Sequence, residues 1–258
     1  MAPPALKGAP LPATPVNTIL LVVALQTEAA PLVKDLKLEE DTSGLFPAGV
    51  PWTKFSGEYK GMTVHLVTPG KDPIHGVDSV CTVPSSLLTF SCIQLLKPDL
   101  IINCGTAGGF QAKGAAIADV YLISETSFHD RRNTIPGYVE YGIGALEATP
   151  VAKLLSHLSL KEGVLTTGDS LDHVPEDDII MKNNNATVKD MEGAAIAYVA
   201  NMLSTPLIII KGVTDIVDSP APTDEEFLRN LHQAAHAVQA VVCDALDFLS
   251  SKTLSDLQ

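Results

Sequence analysis

Four carboxylates stand where an α/β chain can present them to a ligand. The stretch VKDMEGAAIAYVANML (188–203) sets Asp190 and Glu192 on either side of Met191, where a strand-like run gives way to a helical one. Glu28 follows the apolar run TILLVVAL (18–25) almost at once, and Asp215 closes PLIIIKGVTD (206–215). Carboxylates so placed can serve as general acid, general base or acceptor for hydroxyls. Asp215 has apolar neighbours on both sides, so burial would raise its pKa unless a cation pairs with it, which suits a proton donor. A plainer explanation exists for each acid taken singly: in the first turn of a helix an acid gains about 0.3–1 kcal/mol from the partial positive charge there. The turn NCGTAGG (103–109) is open in the same way. It could bring backbone N–H groups and the Thr106 hydroxyl against a ligand, or be no more than a tight glycine turn. It is neither a P-loop nor a G-x-G-x-x-G fingerprint.

For these residues to meet, the chain must place several segment ends together. Short, continuous, β-branched runs at 18–25, 99–105, 119–126, 163–169, 186–191 and 206–215 predict strands buried on both faces. Helical patterns at 27–37, 78–96, 149–158, 192–204 and 224–250 alternate with them. The alternation predicts a single α/β domain with a mostly parallel, mixed central β-sheet flanked by α-helices. The segment VPWTKFSGEYKGMTVHLVTPG (50–70) alternates in polarity about Lys60-Gly61 and predicts a hairpin that extends the sheet. Ligands of such folds lie beyond the carboxyl ends of the strands. Those ends carry Leu25 to Glu28, 103–109, 166–172, 189–192 and 211–218. Residues 1–17 are Pro-rich and read as a flexible tail before a catalytic domain at 18–258.

Composition narrows the partners. With 258 residues, 46% of them hydrophobic, the chain can bury a large core, and its net charge of -13 excludes nucleic acid and anionic membrane surfaces as partners. No segment is long enough to span a bilayer. The run 18–25 lacks the basic flank and cleavage site of a secretion signal, and the four cysteines, Cys81, Cys92, Cys104 and Cys243, lack metal spacing. A reducing, cytoplasmic setting is expected. His129 and Asp130 are adjacent in a strand, so they point apart and do not form a dyad. His232 and His236 share a helix face without a third ligand, which reads as a solvated face and not a metal site.

The set VALQTEAAPL, KPDLIINCGTAGG, TGDSL, KDMEGAAIAYVA and GVTDIVD, in that order across residues 18–250, resembles the nucleoside phosphorylase and nucleosidase superfamily, specifically its plant-type 5'-methylthioadenosine nucleosidases. The resemblance implies hydrolysis of the N-glycosidic bond of 5'-methylthioadenosine to adenine and 5-methylthioribose, a step of methionine salvage, with no metal or organic cofactor. S-adenosylhomocysteine remains an open second substrate. The resemblance also implies that Glu28 orients and deprotonates water, that Asp215 protonates adenine N7, and that Glu192 binds the ribose hydroxyls with Met191 against the sugar or base. Further substrate contacts are implied at Leu25, Gly105, Thr106, Leu171, Asp172, Lys211 and Thr214. A homodimer is expected, in which a partner loop around Phe128 to Tyr141 closes the pocket. Leu171 replaces the aromatic residue of bacterial relatives, and Lys71 lies in a longer loop than theirs. The rival readings are a phosphorylase of the same fold and a storage or binding relative without activity. Phosphorylases carry Arg where this chain has Asn103, which favours water as the nucleophile.

Overall fold

The computed structural model describes residues 11–258. In chain order its elements are β1 (Thr18–Val22), α1 (Gln26–Asp35), β2 (Glu39–Glu40), β3 (Thr53–Tyr59), β4 (Met62–Thr68), α2 (Thr82–Leu96), β5 (Leu100–Gly109), β6 (Val120–Phe128), α3 (Val139–Ile143), β7 (Leu146–Glu147), α4 (Ala152–Leu158), β8 (Lys161–Thr167), α5 (Pro175–Asn183), β9 (Val188–Asp190), α6 (Gly193–Met202), β10 (Leu207–Ile216) and α7 (Thr223–Leu249).

One mixed sheet runs β10-β6-β8-β9-β5-β1-β4-β3-β2, and a further β10–β5 pairing closes its first five strands into a ring. The pairs β1–β4, β1–β5, β5–β10, β6–β8 and β8–β9 are parallel. The expected hairpin is present as β3–β4, antiparallel about Lys60 and Gly61. The strands are buried on both faces because two cores sandwich them. On β1, Ile19 and Leu21 join the core beneath α1, α4 and α7, while Leu20 and Val22 join the core beneath α2 and α6.

Three expectations change. The strand expected over 99–105 runs on without turning: β5 continues to Gly109 and pairs with β10, Gly105 opposite Lys211 and Gly109 opposite Ile216, across a register shift between Val213 and Asp215. Residues 78–81 are not helical, because α2 begins at Thr82 after Cys81 adopts φ 82°, ψ 178°. Of the proposed tail, residues 1–10 lie outside the described residues. Residues 11–17 are tied to the C-terminal segment, with Val16 N–H donating to the Lys252 carbonyl (3.0 Å), Leu254 N–H to that of Thr14 (2.9 Å), and Val16 buried in the core. The C-terminal segment supplies backbone partners that a Pro-rich stretch cannot supply itself.

Candidate active site

A cavity of about 280 Å³ opens at the carboxyl ends of β1, β5, β9 and β10. Leu25 and Glu28 reach it from the start of α1, Thr106 from β5, Leu171 from the loop after β8, Met191 and Glu192 from the β9–α6 junction, and Thr214 and Asp215 from β10. Eight of the sequence-predicted positions thus meet in one place.

Each acid has its own environment. Glu28 is buried, and its Oε1 accepts hydrogen bonds from the Thr106 N–H (2.7 Å) and hydroxyl (2.6 Å), while Oε2 accepts the Leu25 N–H (3.2 Å). Asp215 is 4% exposed and accepts the Thr214 hydroxyl at 2.7 Å. Burial raises its pKa from the ordinary aspartate value, against that hydroxyl and the Lys189 ammonium, which is the direction a proton donor needs. Glu192 is also buried, and its Oε1 accepts the Cys81 N–H at 3.0 Å. Burial, with Asp190 adding to it, pushes Glu192 up to about 7, and Lys211 opposes the rise.

Glu192 stands past the end of β9, as the N-cap residue of α6, whereas Asp190 is still the last residue of the strand. The Asp190 carboxylate lies 2.8 Å from the Lys211 ammonium, accepts the Thr167 hydroxyl at 2.6 Å and caps α6 through the Gly193 N–H at 2.9 Å. Thr167 in turn accepts the Ala194 N–H at 2.9 Å. A Cβ on Gly193 would sit 2.3 Å from Leu165 Cδ2, so the small residues of α6 serve its close approach to β8.

Three predicted contacts lie outside the cavity lining. Lys211 is 2% exposed and bound to Asp190. Burial opposes its charge, yet Asp190, Glu192 and Glu28 hold its pKa above the usual lysine value. Gly105 stands behind Glu28, where a Cβ would approach the carboxylate to 3.0 Å. Asp172 is exposed beyond the rim. Conversely, Val80, Lys189 and Phe227 line the cavity without having been singled out. Phe227 lies one turn into α7, and only the fold brings it over the strand ends. Lys189 was legible as the residue before Asp190, but nothing in the motif indicates that it faces inward. Its ammonium donates to the carbonyls of Ser170 and Leu171, both at 2.8 Å, and so ties down the loop over the cavity. Burial pulls its pKa down, against Asp215, Asp172 and Asp190.

Asn103 is likewise absent from the lining: it is 2% exposed and donates to the Val22 carbonyl at 3.0 Å. Lys71 pairs backbone to backbone with Asp78 and is also away from the cavity. The cavity therefore holds the carboxylates Glu28, Asp190, Glu192 and Asp215 against Lys189, the one cation among its described residues. His129 is buried against the Thr166 hydroxyl at 3.1 Å, not paired with Asp130, and no cluster of potential metal ligands occurs among the described residues. No helix among them is long and apolar enough to cross a membrane.

The chain is 51% identical over 243 residues to a 5'-methylthioadenosine/S-adenosylhomocysteine nucleosidase of Arabidopsis thaliana, covering 94% of this chain and 96% of that protein. It is 47% identical to a 5'-methylthioadenosine nucleosidase of the same plant, covering 94% of this chain and 91% of the relative. A solved apo structure of an Arabidopsis thaliana 5'-methylthioadenosine nucleosidase has the same fold, with a TM-score of 0.93 over 94% of this chain and 100% of that one. Residues 18–247 match the phosphorylase superfamily throughout, and with its sheet, cavity and acids in place the chain belongs to that family.

Proposed function

We propose that this protein hydrolyses the N-glycosidic bond of 5'-methylthioadenosine, giving adenine and 5-methylthioribose. The observation that carries the reading is the meeting of Glu28, Glu192 and Asp215, from three distant stretches of sequence, around one cavity of nucleoside size. The two plant relatives are named for this activity.

The chemistry follows from the three environments. Adenine leaves poorly as an anion, so Asp215 gives a proton to N7 as the C1'–N9 bond breaks and its electron pair passes to the purine. The ribose gains oxocarbenium character, which the surrounding carboxylates stabilise. Glu28, already oriented by Thr106 and Leu25, takes a proton from the water that bonds to C1'. Glu192 accepts hydrogen bonds from the ribose hydroxyls. Leu171 and Met191 offer the base and sugar apolar contact. The acids would repel phosphate, and Lys189, whose hydrogen bonds go to two carbonyls, does little to offset them.

An adenine-release assay in phosphate-free and phosphate-rich buffer tests this reading. Free 5-methylthioribose at a rate independent of phosphate is expected. A sugar 1-phosphate would indicate a phosphorylase, and no adenine at all would indicate a binding relative. S-adenosylhomocysteine belongs in the same assay, because one of the two relatives is named for both nucleosides and the other for one.

We also infer a homodimer. Val83, Leu87, Phe90 and Leu95 on α2, with Tyr198 and Met202 on α6, leave large apolar side chains exposed on two helices that pack together. Tyr138 and Tyr141, exposed and in edge-to-face contact at 6.1 Å in the segment after β6, are our candidates for the residues that would reach a partner's pocket. Sedimentation at a dimer mass supports this, and a monomer of full activity would refute it.

A further inference from the structure

We propose that Asp169 is a positioning residue for Glu192, acting from outside the cavity through the backbone of Cys81. The proposal rests on the reading of Glu192 as the acceptor for the ribose hydroxyls.

Cys81 immediately precedes α2 with φ 82° and ψ 178°, a region of backbone space that is close to glycine's alone. A residue with a Cβ stays there only when its surroundings hold it. The hold is visible. Asp169, exposed in the loop after β8, grips the first residue of α2 with both carboxylate oxygens: Oδ1 accepts the Thr82 N–H at 2.7 Å and Oδ2 the Thr82 hydroxyl at 2.8 Å. The Cys81 thiol lies 3.8 Å from the Asp169 carbonyl. Asp169 is itself anchored, its N–H donating to Asp130 Oδ2 at 2.6 Å. A carboxylate at this end of a helix is favoured by the helix charge as well.

The strained conformation has a destination. It aims the Cys81 N–H at Glu192 Oε1, 3.0 Å away, and among the described residues this is the hydrogen bond the Glu192 side chain accepts. The other groups facing Glu192 are charges: Asp190 and Glu28 disfavour its ionised form, and Lys211 favours it. The N–H therefore adds orientation, together with support for the carboxylate that a ribose diol requires. Without Asp169, Cys81 can relax to a conformation with negative φ, and the N–H swings away.

Asp169→Ala tests this against wild type and against the double variant Asp169→Ala/Cys81→Gly. Glycine adopts the conformation without a clamp, so it should rescue the loss. We expect Asp169→Ala to lower kcat/KM for 5'-methylthioadenosine by about tenfold, the scale of one hydrogen bond to a charged group. Adenine alone, which does not reach Glu192, should bind as in wild type. The rise of kcat/KM with pH should move to higher pH, because the carboxylate has lost a donor. The double variant should return rate and pH profile to those of Cys81→Gly. A wild-type rate in Asp169→Ala, an equal loss of adenine affinity, or a defect glycine does not rescue would overturn the clamp alone. If Asp169→Ala does not fold, Asp169→Asn carries the same comparison, with a smaller loss and the same rescue. No adenine release by the wild-type chain would overturn the underlying reading and the clamp with it.

Discussion

Replacing Lys211 by Met separates a structural cation from one that touches substrate. The Lys211–Asp190 pair is 2.8 Å apart, with the two side chains 2% and 1% exposed. Removing one partner of such a pair leaves a buried, uncompensated charge and costs about 3–5 kcal/mol. That is a large share of the ~5–15 kcal/mol by which domains are stable. Met fills a similar volume, so the loss is electrostatic and not a cavity effect. Asp190→Asn in the same chain removes the orphaned charge; its one oxygen can still accept the Gly193 N–H, while its NH2 faces the Thr167 hydroxyl, which can accept as well as donate. Urea unfolding at neutral pH should therefore show a severely destabilised single variant and a double variant recovering about 2 kcal/mol or more of the loss. Lys211 also favours the ionised form of Glu192, so whatever activity the single variant keeps should need higher pH. A Lys211→Met protein as stable as wild type but with a raised KM would refute this and restore Lys211 as a substrate contact.

Asp215→Asn should fold normally and lose about 10²–10⁴ in kcat, since it removes the acid and keeps the shape; wild-type turnover would refute the proton-donor role. Glu28→Gln should lose turnover yet bind adenine as before, and a matching loss of adenine affinity in titration calorimetry would point to a structural role instead. An inhibitor lacking the 2'-hydroxyl should bind about 1.5–3 kcal/mol more weakly than its ribo form, the value of a hydrogen bond to a charged acceptor, and equal affinities would exclude Glu192 as the reader of that hydroxyl. Glu192→Gln should stabilise the fold above pH 7: the folded state holds a proton between the usual 4.5 and about 7 that the unfolded chain has released, so wild-type stability falls as pH rises through that window. Parallel melting curves against pH for the two proteins would contradict it.

The strands were legible because a run such as TILLV can satisfy two cores only when extended, and here alternate residues do fill opposite cores. Short polar elements were not. Helix α5 reads PEDDIIMKN, with an acidic first turn and too few apolar residues for a visible period. Met181 is its one buried apolar residue, so the packing that keeps it helical belongs to the tertiary structure. Glu28, Glu192 and Asp215 were legible as acids at strand ends, yet Lys211 stands in the same motif as Asp215 and faces the other way. Facing directions near a strand end depend on local irregularities. Between Val213 and Asp215 the β5–β10 register shifts, and period-two counting from the apolar run loses its phase there.

The glycines of β5 show what the sequence pattern conceals. Gly105, Gly108 and Gly109 lie in an extended strand with no positive φ, so conformational freedom does not explain them. Space does. A Cβ on Gly108 would fall 2.6 Å from Asp215 Oδ2, and one on Gly109 would fall 2.9 Å from Val213 Cγ1. At Gly105 the same atom would press on Glu28 from 3.0 Å. At Gly105 and Gly108 the strand is stripped of side chains where the proposed base and the proposed acid occupy the volume a Cβ would need, and at Gly109 where Ala115 and Val213 do. GTAGG therefore marks the site by what it omits. Its glycines let two carboxylates lie against the backbone, where Thr106 holds Glu28 and Thr214 holds Asp215. A cavity lined by unsupported carboxylates would leave their oxygens to water. These are oriented before any nucleoside arrives, which lowers the reorganisation the reaction requires.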